Sequence, residues 1–115
     1  MSNNKYIDIL EFSDDPWGRS VEDNPDSNGN DFRKRFLTHA FRQFDTVTVD
    51  FSKLRDVPDS AFLGGSFVNL IKEDGFSYDE VLQKLVILPA DGFLPQLVRR
   101  IIELARDEHK RVAGA

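Results

Sequence analysis

The sequence predicts an α/β fold in which a small mixed sheet with parallel neighbours is covered by about three to four helices. Three strand patterns support this prediction. Residues 6–12 nearly alternate apolar and polar side chains, residues 46–51 are rich in β-branched residues, and residues 85–88 form an apolar run that Pro89 stops. Helical patterns lie between them, and strands that alternate with helices form sheets with parallel neighbours and right-handed crossovers.

The first helical pattern begins at Asp31, with Asn30 or Asp31 expected as its N-cap. Its apolar residues fall on one helical face: Phe32, Phe36, Leu37, Ala40, Phe41 and Phe44. A second helix is expected to begin at Asp59 or Ser60, since either residue is a good N-cap. Its apolar series is Leu63, Phe67, Leu70 and Ile71.

Two further helical segments are expected in the second half of the chain. Gly75 is a helix terminator, and residues 78–84 then add one or two helical turns. The last pattern is a long amphipathic helix with Leu94, Leu97, Val98, Ile101, Ile102 and Ala105 on one face. We expect the helices to bury six side chains against the sheet: Phe36, Phe41, Phe67, Leu70, Ile101 and Ile102.

Composition limits the kinds of protein that this chain can be. With 115 residues, 40% of them hydrophobic and ten of them Phe, residues 1–115 are expected to form one domain with a Phe-rich core. No cysteine is present, which excludes disulfides, thiolate nucleophiles and cysteine-based metal sites. The net charge of −5 disfavours binding to nucleic acid. No leader and no long apolar run is found, so we expect no membrane association and a cytoplasmic location.

Residues 13–30 collect Asp, Asn, Ser, Pro and Gly, and predict a long polar loop. Within it, Trp17, Gly18 and Arg19 have the composition of a binding edge. Alternatively, Trp17 closes over the core and Arg19 pairs with a carboxylate. A third interpretation gives Arg19 a small anion or nucleotide near the start of the second helix. Residues 21–30 have little apolar surface and are expected to be mobile in the free protein.

Asp59 and Ser60 are the second candidate site. A phosphoryl group on Ser60 would lie near free backbone N–H groups and the positive end of the helix dipole, where its charge is tolerated. The alternative is that Asp59 or Ser60 only caps the helix.

Five short segments lie in order along the chain: Gly18-Arg19, Asp31-Phe32-Arg33, Val49-Asp50-Phe51, Ser60-Ala61-Phe62-Leu63 and Gly75-Phe76-Ser77. Together they resemble the STAS-like domain family of small bacterial proteins. The wider STAS fold is that of anti-sigma-factor antagonists. The chain departs from the family at Ala61, where a second Ser is usual, at Gly64 and Gly65, where acidic residues are usual, and at Val68-Asn69, where a Gly pair is usual. Gly64 and Gly65 are therefore expected to permit close backbone approach, and we include both in the candidate binding surface.

The resemblance implies a regulatory module that docks onto an ATP-binding serine kinase of the histidine-kinase type, or onto a sensor protein, and is switched by phosphorylation. In the antagonists the phosphorylated Ser follows an Asp at the start of the helix after the central strand, and Asp59-Ser60 matches that pattern. The resemblance therefore makes Ser60 the candidate switch, within a partner surface formed by Trp17, Gly18, Arg19, Asp59, Ser60, Gly64 and Gly65.

An enzyme is not expected, and no cofactor or metal is assigned. The only histidines, His39 and His109, lie on predicted helices outside any metal-ligand or triad pattern. Gly64-Gly65 lacks the Lys and the spacing of a phosphate-binding loop. The main alternative to a switched module is an unswitched interaction protein, such as an immunity or antitoxin-like inhibitor, whose acidic loop would suit a basic target. A small nucleotide-binding enzyme is the third and least favoured hypothesis.

Overall fold

Three parallel strands form the sheet. The computed structural model describes residues 3–113, in which β1 (Asn4–Asp8), β2 (Thr46–Asp50) and β3 (Leu85–Leu88) lie in the order β1-β2-β3. Both strand pairs are parallel, with Ile7 opposite Val49 and Val49 opposite Ile87. The α/β prediction is confirmed, and these three strands form a wholly parallel sheet rather than a mixed one.

Four helices follow the expected order. Helix α1 (29–43) consists of Gly29–Phe32, a π-helical segment Arg33–Leu37 and Thr38–Gln43. Helix α2 (60–72) has the same organisation, with Ser60–Leu63, the π-helical segment Gly64–Val68 and Asn69–Lys72. Helices α3 (Tyr78–Lys84) and α4 (Leu94–Ala113) lie on either side of β3 in the sequence. The sequence predicted all four helices but neither π-helical segment, because one extra residue in a turn leaves the apolar spacing almost unchanged.

The core lies on one face of the sheet. Strand residues on that face are buried, namely Ile7, Val47, Val49 and Ile87. On the opposite face Tyr6 is 52% exposed and Val86 is 38% exposed, so the helices leave this face open. Phe41, Phe67, Leu70 and Ile102 are buried as predicted, whereas Phe36 and Ile101 are only half-buried.

The first strand is shorter than the alternating pattern of residues 6–12 predicted. Strand β1 ends at Asp8, whose carboxylate accepts a hydrogen bond of 3.0 Å from the N–H of Leu10. This bond caps a 3₁₀ turn over Ile9–Glu11, which still buries Ile9. The ring of Phe12 then packs 5.2 Å from that of Phe32, between centroids. Apolar side chains therefore continue to be buried after the strand has ended.

Helix α1 begins two residues earlier than predicted, and its N-cap is Asn28 rather than Asn30 or Asp31. The Asn28 side-chain oxygen accepts a hydrogen bond of 2.9 Å from the N–H of Asp31. Its amide group donates to the carbonyl of Asn24, at 2.8 Å. The expectation was wrong because it considered only local spacing, whereas the loop bond to Asn24 selects the cap.

Arg33 ties α1 to the end of α2. Its guanidinium is almost fully buried and donates to both carboxylate oxygens of Asp74, each at 2.9 Å. Thr38 donates a further hydrogen bond of 2.7 Å to Asp74. Arg33 is therefore an internal link between the two helices and not a surface cation.

Candidate functional site

Asp59 connects the long loop to the start of α2. Its Oδ1 accepts a hydrogen bond of 2.9 Å from the N–H of Phe62, which makes it the N-cap of the helix, one of the two caps that the sequence allowed. The same oxygen accepts a second hydrogen bond, of 3.1 Å, from the N–H of Gly18. One carboxylate therefore fixes the position of the Trp17-Gly18-Arg19 segment relative to Ser60.

The backbone at Gly18 explains why the loop turns here. Its φ of +79° lies in the left-handed region, where a Cβ is disfavoured. The next residue, Arg19, donates its N–H to the carboxylate of Asp23 at 2.9 Å, and the amide group of Asn24 donates to the carbonyl of Trp17 at 3.1 Å. These polar bonds hold the loop where the chain has few apolar residues to pack.

Trp17 is 44% exposed, so it does not close over the core. It lines an open hollow with Arg55, Val57 and four carboxylates, those of Asp14, Asp15, Asp56 and Asp59. None of these five charged groups lies within 4.0 Å of an opposite charge among residues 3–113. The hollow therefore presents an exposed aromatic side chain in a predominantly acidic setting.

Ser60 is the first residue of α2 and is exposed. It borders a cleft with Gly64, Val68 and Asn69, and two cationic side chains, Arg19 and Lys72, line the same cleft. The Ser60 hydroxyl is therefore accessible, and the cap that the sequence left open between two residues belongs to Asp59.

Gly64 and Gly65 are buried beneath Arg19. A Cβ on Gly65 would lie 2.9 Å from the backbone oxygen of Arg19, and a Cβ on Gly64 would lie 3.3 Å from its guanidinium. The predicted close backbone approach is observed at Gly65, where it is made by the chain's own loop, whereas only the Arg19 side chain approaches Gly64. Gly64 lines the cleft beside Ser60, while Gly65 lies under the loop backbone.

An apolar groove beside the hollow was missed by sequence analysis. It is lined by Phe51, Leu54, Pro58, Pro89 and Leu94, with Val57 47% exposed and Phe93 63% exposed at its mouth. Asp56 and Val57 line both the groove and the hollow, so the two adjoin. The available signal was the cluster of apolar residues in the loops after the second and third strands.

A polar cluster lies at the carboxyl ends of β1 and β2, on the open face of the sheet. The Tyr6 hydroxyl donates a hydrogen bond to Asp50, and Lys53 forms an ion pair of 2.9 Å with Asp8. Burial raises the pKa of Asp50, but hydrogen bonds from Ser52 and Tyr6 outweigh it and hold that pKa below its usual value. The hydrogen bond to Asp50 raises the pKa of Tyr6, and the one from Lys53 lowers the pKa of Asp8. The polar groups of this cluster bond to one another. Its signal in the sequence is the Asp at the end of β1 and of β2.

Residues 3–113 contain no group of three or more His, Cys, Asp or Glu side chains arranged to hold a metal ion. Over the same residues, no helix is both long and apolar enough to cross a membrane.

Comparison with known proteins adds the family. Residues 28–92, more than half of the chain, match the family model described as a STAS-like domain of unknown function (DUF4325). No curated protein and no solved structure gave a significant match. The match runs from the N-cap of α1 through β2, α2 and β3, and includes Asp59, Ser60, Gly64 and Gly65. The chain belongs to this family of STAS-like domains.

Proposed function

We propose that this protein is a regulatory protein-binding module whose docking surface is centred on Asp59 and Ser60 and includes the Trp17-Gly18-Arg19 segment. The observation that carries the proposal is the pair of hydrogen bonds accepted by Asp59, from Gly18 and from Phe62. These bonds place an exposed aromatic side chain and an exposed hydroxyl on one preorganised surface. Large aromatic residues are common anchors of protein interfaces, and preorganisation lowers the entropic cost of binding.

Phosphorylation of Ser60 is the switch in this proposal. A phosphoryl group there would add roughly −1.5 to −2 charges beside the Asp59 carboxylate, at the start of α2. Arg19 and Lys72 line the same cleft and supply cations to balance it. The modification would thus change both the charge of the docking surface and the position of the Arg19 side chain, two residues after Trp17 in the same loop. Resemblance to the anti-sigma-factor antagonists supports an ATP-binding serine kinase or a sensor protein as the partner.

The experiment begins with co-purification of the tagged protein from its native host and identification of the bound chains. Binding of the partner is then measured for Ser60→Asp, Ser60→Ala and Trp17→Ala, with a melting curve for each variant. We expect Ser60→Asp to weaken docking about tenfold or more, because its carboxylate repels that of Asp59 and disturbs the loop that Asp59 holds through Gly18, and Ser60→Ala to dock like the wild type. Trp17→Ala should weaken docking strongly at little cost in stability, because Trp17 is 44% exposed. Full affinity in both Ser60→Asp and Trp17→Ala would place the interface elsewhere.

The acidic hollow also favours a second function, that of an unswitched inhibitor that masks a basic target. Ser60→Asp and the phosphorylation state of Ser60 separate the two functions, whereas Trp17→Ala should weaken binding in both. An inhibitor of this kind would bind Ser60→Asp like the wild type and would carry no phosphate on Ser60 by mass spectrometry of protein isolated from the host. A phosphorylated Ser60 that releases the partner would establish the switched module.

A further inference from the structure

The carboxyl edge of the sheet carries an apolar groove that the fold itself does not fill. Phe51 and Leu54 follow β2, and Pro89, Phe93 and Leu94 follow β3, so the groove lies beyond the ends of two parallel strands. Binding sites of open α/β sheets gather at this edge. The volume of the groove is about 160 Å³. A cavity of about 150 Å³ accepts a benzene-sized group, so this one has room for one apolar side chain.

Exposure of the residues around the groove is concentrated rather than scattered. Val57 is 47% exposed, Phe93 is 63% exposed, and Trp17 in the adjoining hollow is 44% exposed. Single exposed apolar residues are normal on a protein surface, whereas a contiguous set bordered by polar groups marks an interaction site. Here the carboxylates of the adjoining hollow form the polar border.

The charge of that border identifies the kind of partner. Asp14, Asp15, Asp56 and Asp59 face the hollow with Arg55 as their only cationic neighbour in it, a balance of four negative charges against one positive charge. Asp56 also lines the groove. A partner that buries an apolar side chain in the groove would therefore gain from cationic residues next to that side chain, and an acidic partner would be repelled.

We propose that the groove between Val57 and Phe93 is the anchor site for a protein segment that carries one large apolar side chain flanked by Lys or Arg. The apolar side chain enters the groove, and the cations lie over the carboxylates of the hollow beside Trp17. This inference rests on the proposed function, because it names the class of partner segment that the docking surface recognises.

The test uses the full chain and three short capped peptides as probes. They are Lys-Arg-Leu-Lys-Arg, its control Lys-Arg-Ala-Lys-Arg, and the acidic control Glu-Glu-Leu-Glu-Glu. Trp17 is the only tryptophan of the chain, so its fluorescence reports binding in the hollow directly. We expect the basic leucine peptide to bind with an affinity that falls as salt is added. The alanine peptide should bind about tenfold more weakly, because it buries less apolar surface, and the acidic peptide should not bind.

Matched variants locate the bound peptide. Phe93→Ser should weaken binding of the leucine peptide about tenfold, whereas Leu104→Ser, at a side chain of comparable exposure (49%) on α4, should not change it. Asp56→Asn should weaken binding and reduce its salt dependence, while Asp107→Asn on α4 should do neither. Melting curves show whether each of the four variants remains folded. All four substitutions are at exposed positions, where a substitution usually changes the free energy of unfolding little.

Equal affinity for the leucine and alanine peptides, absence of binding, or wild-type affinity in Phe93→Ser would overturn the groove proposal. These results are distinguishable from failure of the proposed function. If the co-purified partner binds Phe93→Ser like the wild type but is lost with Trp17→Ala, the docking surface stands and the groove assignment is wrong. If the peptides behave as expected but Trp17→Ala and Ser60→Asp leave the affinity for the partner unchanged, the groove assignment is supported and the proposed function is wrong.

Discussion

Asp59 and Gly18 are joined by a hydrogen bond of 3.1 Å although they lie 41 residues apart in the sequence. Because the same carboxylate caps α2, it holds the loop before α1 against the start of that helix. Asp59 therefore has two roles, as the N-cap of α2 and as the acceptor that holds Gly18. A substitution at Asp59 can be compared with one at an N-cap that has only the first role.

The first prediction concerns this double role. Asp59→Ala should lower the free energy of unfolding by about 2–3 kcal/mol, since it removes a cap worth ~1 kcal/mol or more and also leaves the buried N–H of Gly18 without its partner. Ser77→Ala is the matched control. Ser77 caps α3 through the N–H of Glu80 alone, so its loss should cost ~1 kcal/mol. Denaturant unfolding measures both, and faster amide exchange at Gly18 should appear only in Asp59→Ala; unchanged exchange there would contradict the prediction.

The second prediction concerns the two buried glycines of α2. Gly65→Ala should destabilise the protein by about 1–3 kcal/mol, because its Cβ would meet the backbone oxygen of Arg19 at 2.9 Å and the backbone would have to shift. Gly64→Ala should be neutral or slightly stabilising. There the Cβ meets only the flexible guanidinium, at 3.3 Å, and Ala favours the helix by ~1 kcal/mol. Thermal unfolding of the pair checks this, and equal melting temperatures would show that the loop backbone does not pack on Gly65.

A third prediction corrects the expectation that residues 21–30 are uniformly mobile. The N–H groups of Gly29 and Asn30 donate to the carbonyls of Gly18 and Arg19, each at 2.9 Å, so their exchange should be slow. Val21 and Glu22 are exposed, and their amides should exchange rapidly. Asn24→Ala should accelerate exchange at Gly29 and Asn30, because Asn24 ties Trp17 to the loop.

The control for the loop is Asp26→Ala, at an exposed side chain. It should leave the exchange at Gly29 and Asn30 unchanged. Exchange at these two amides as fast as at Val21 in the wild type would show that the polar bonds do not hold the loop, and would restore the original expectation.

The fourth prediction is a pH dependence at the open face of the sheet. The folded-state pKa values of Asp8 and Asp50 lie below their usual values, so the unfolded chain binds more protons in acid. The stability contributed by these carboxylates is present above about pH 4 and is lost as the pH falls through the folded-state values. The raised pKa values of Tyr6 and Lys53 act in the opposite direction, and their contribution is lost as the pH rises through the folded-state values above about 10.

Tyr6→Phe tests the acid branch of this dependence. It should lower the melting temperature at neutral pH, and the difference from wild type should shrink as Asp50 becomes protonated, because the hydrogen bond to a charged acceptor is then lost. Tyr78→Phe is the control, since the Tyr78 hydroxyl donates to the backbone oxygen of Ala105 at 3.3 Å. Its effect should not depend on acid pH. A constant difference for Tyr6→Phe across the acid range would show that the Tyr6 to Asp50 bond does not perturb Asp50.

Much of the fold follows from local patterns. The strands at Thr46–Asp50 and Leu85–Leu88 and the four helices were predicted, and the cap of α2 was narrowed to Asp59 or Ser60, because β-branched runs, helical apolar spacing and capping side chains act over a few residues. Loop composition selected Trp17 as a candidate, whereas Ser60 and Gly64-Gly65 were selected through the resemblance to the STAS-like family. It failed at the end of β1 and at the start of α1, where side chains of Asp8 and Asn28 set the boundary.

What only the tertiary structure decided is which distant segments meet. The bond from Gly18 to Asp59, the position of Arg19 over Gly65, and the groove that unites Val57 with Phe93 all join residues from separate connections. Sequence spacing carries no information about such contacts, because they arise when parallel strands bring the loops after their carboxyl ends to one edge of the sheet. The amino-acid sequence therefore determined the elements and most of their capping residues, whereas the packing of loops on those elements determined the shape and the charge of the docking surface.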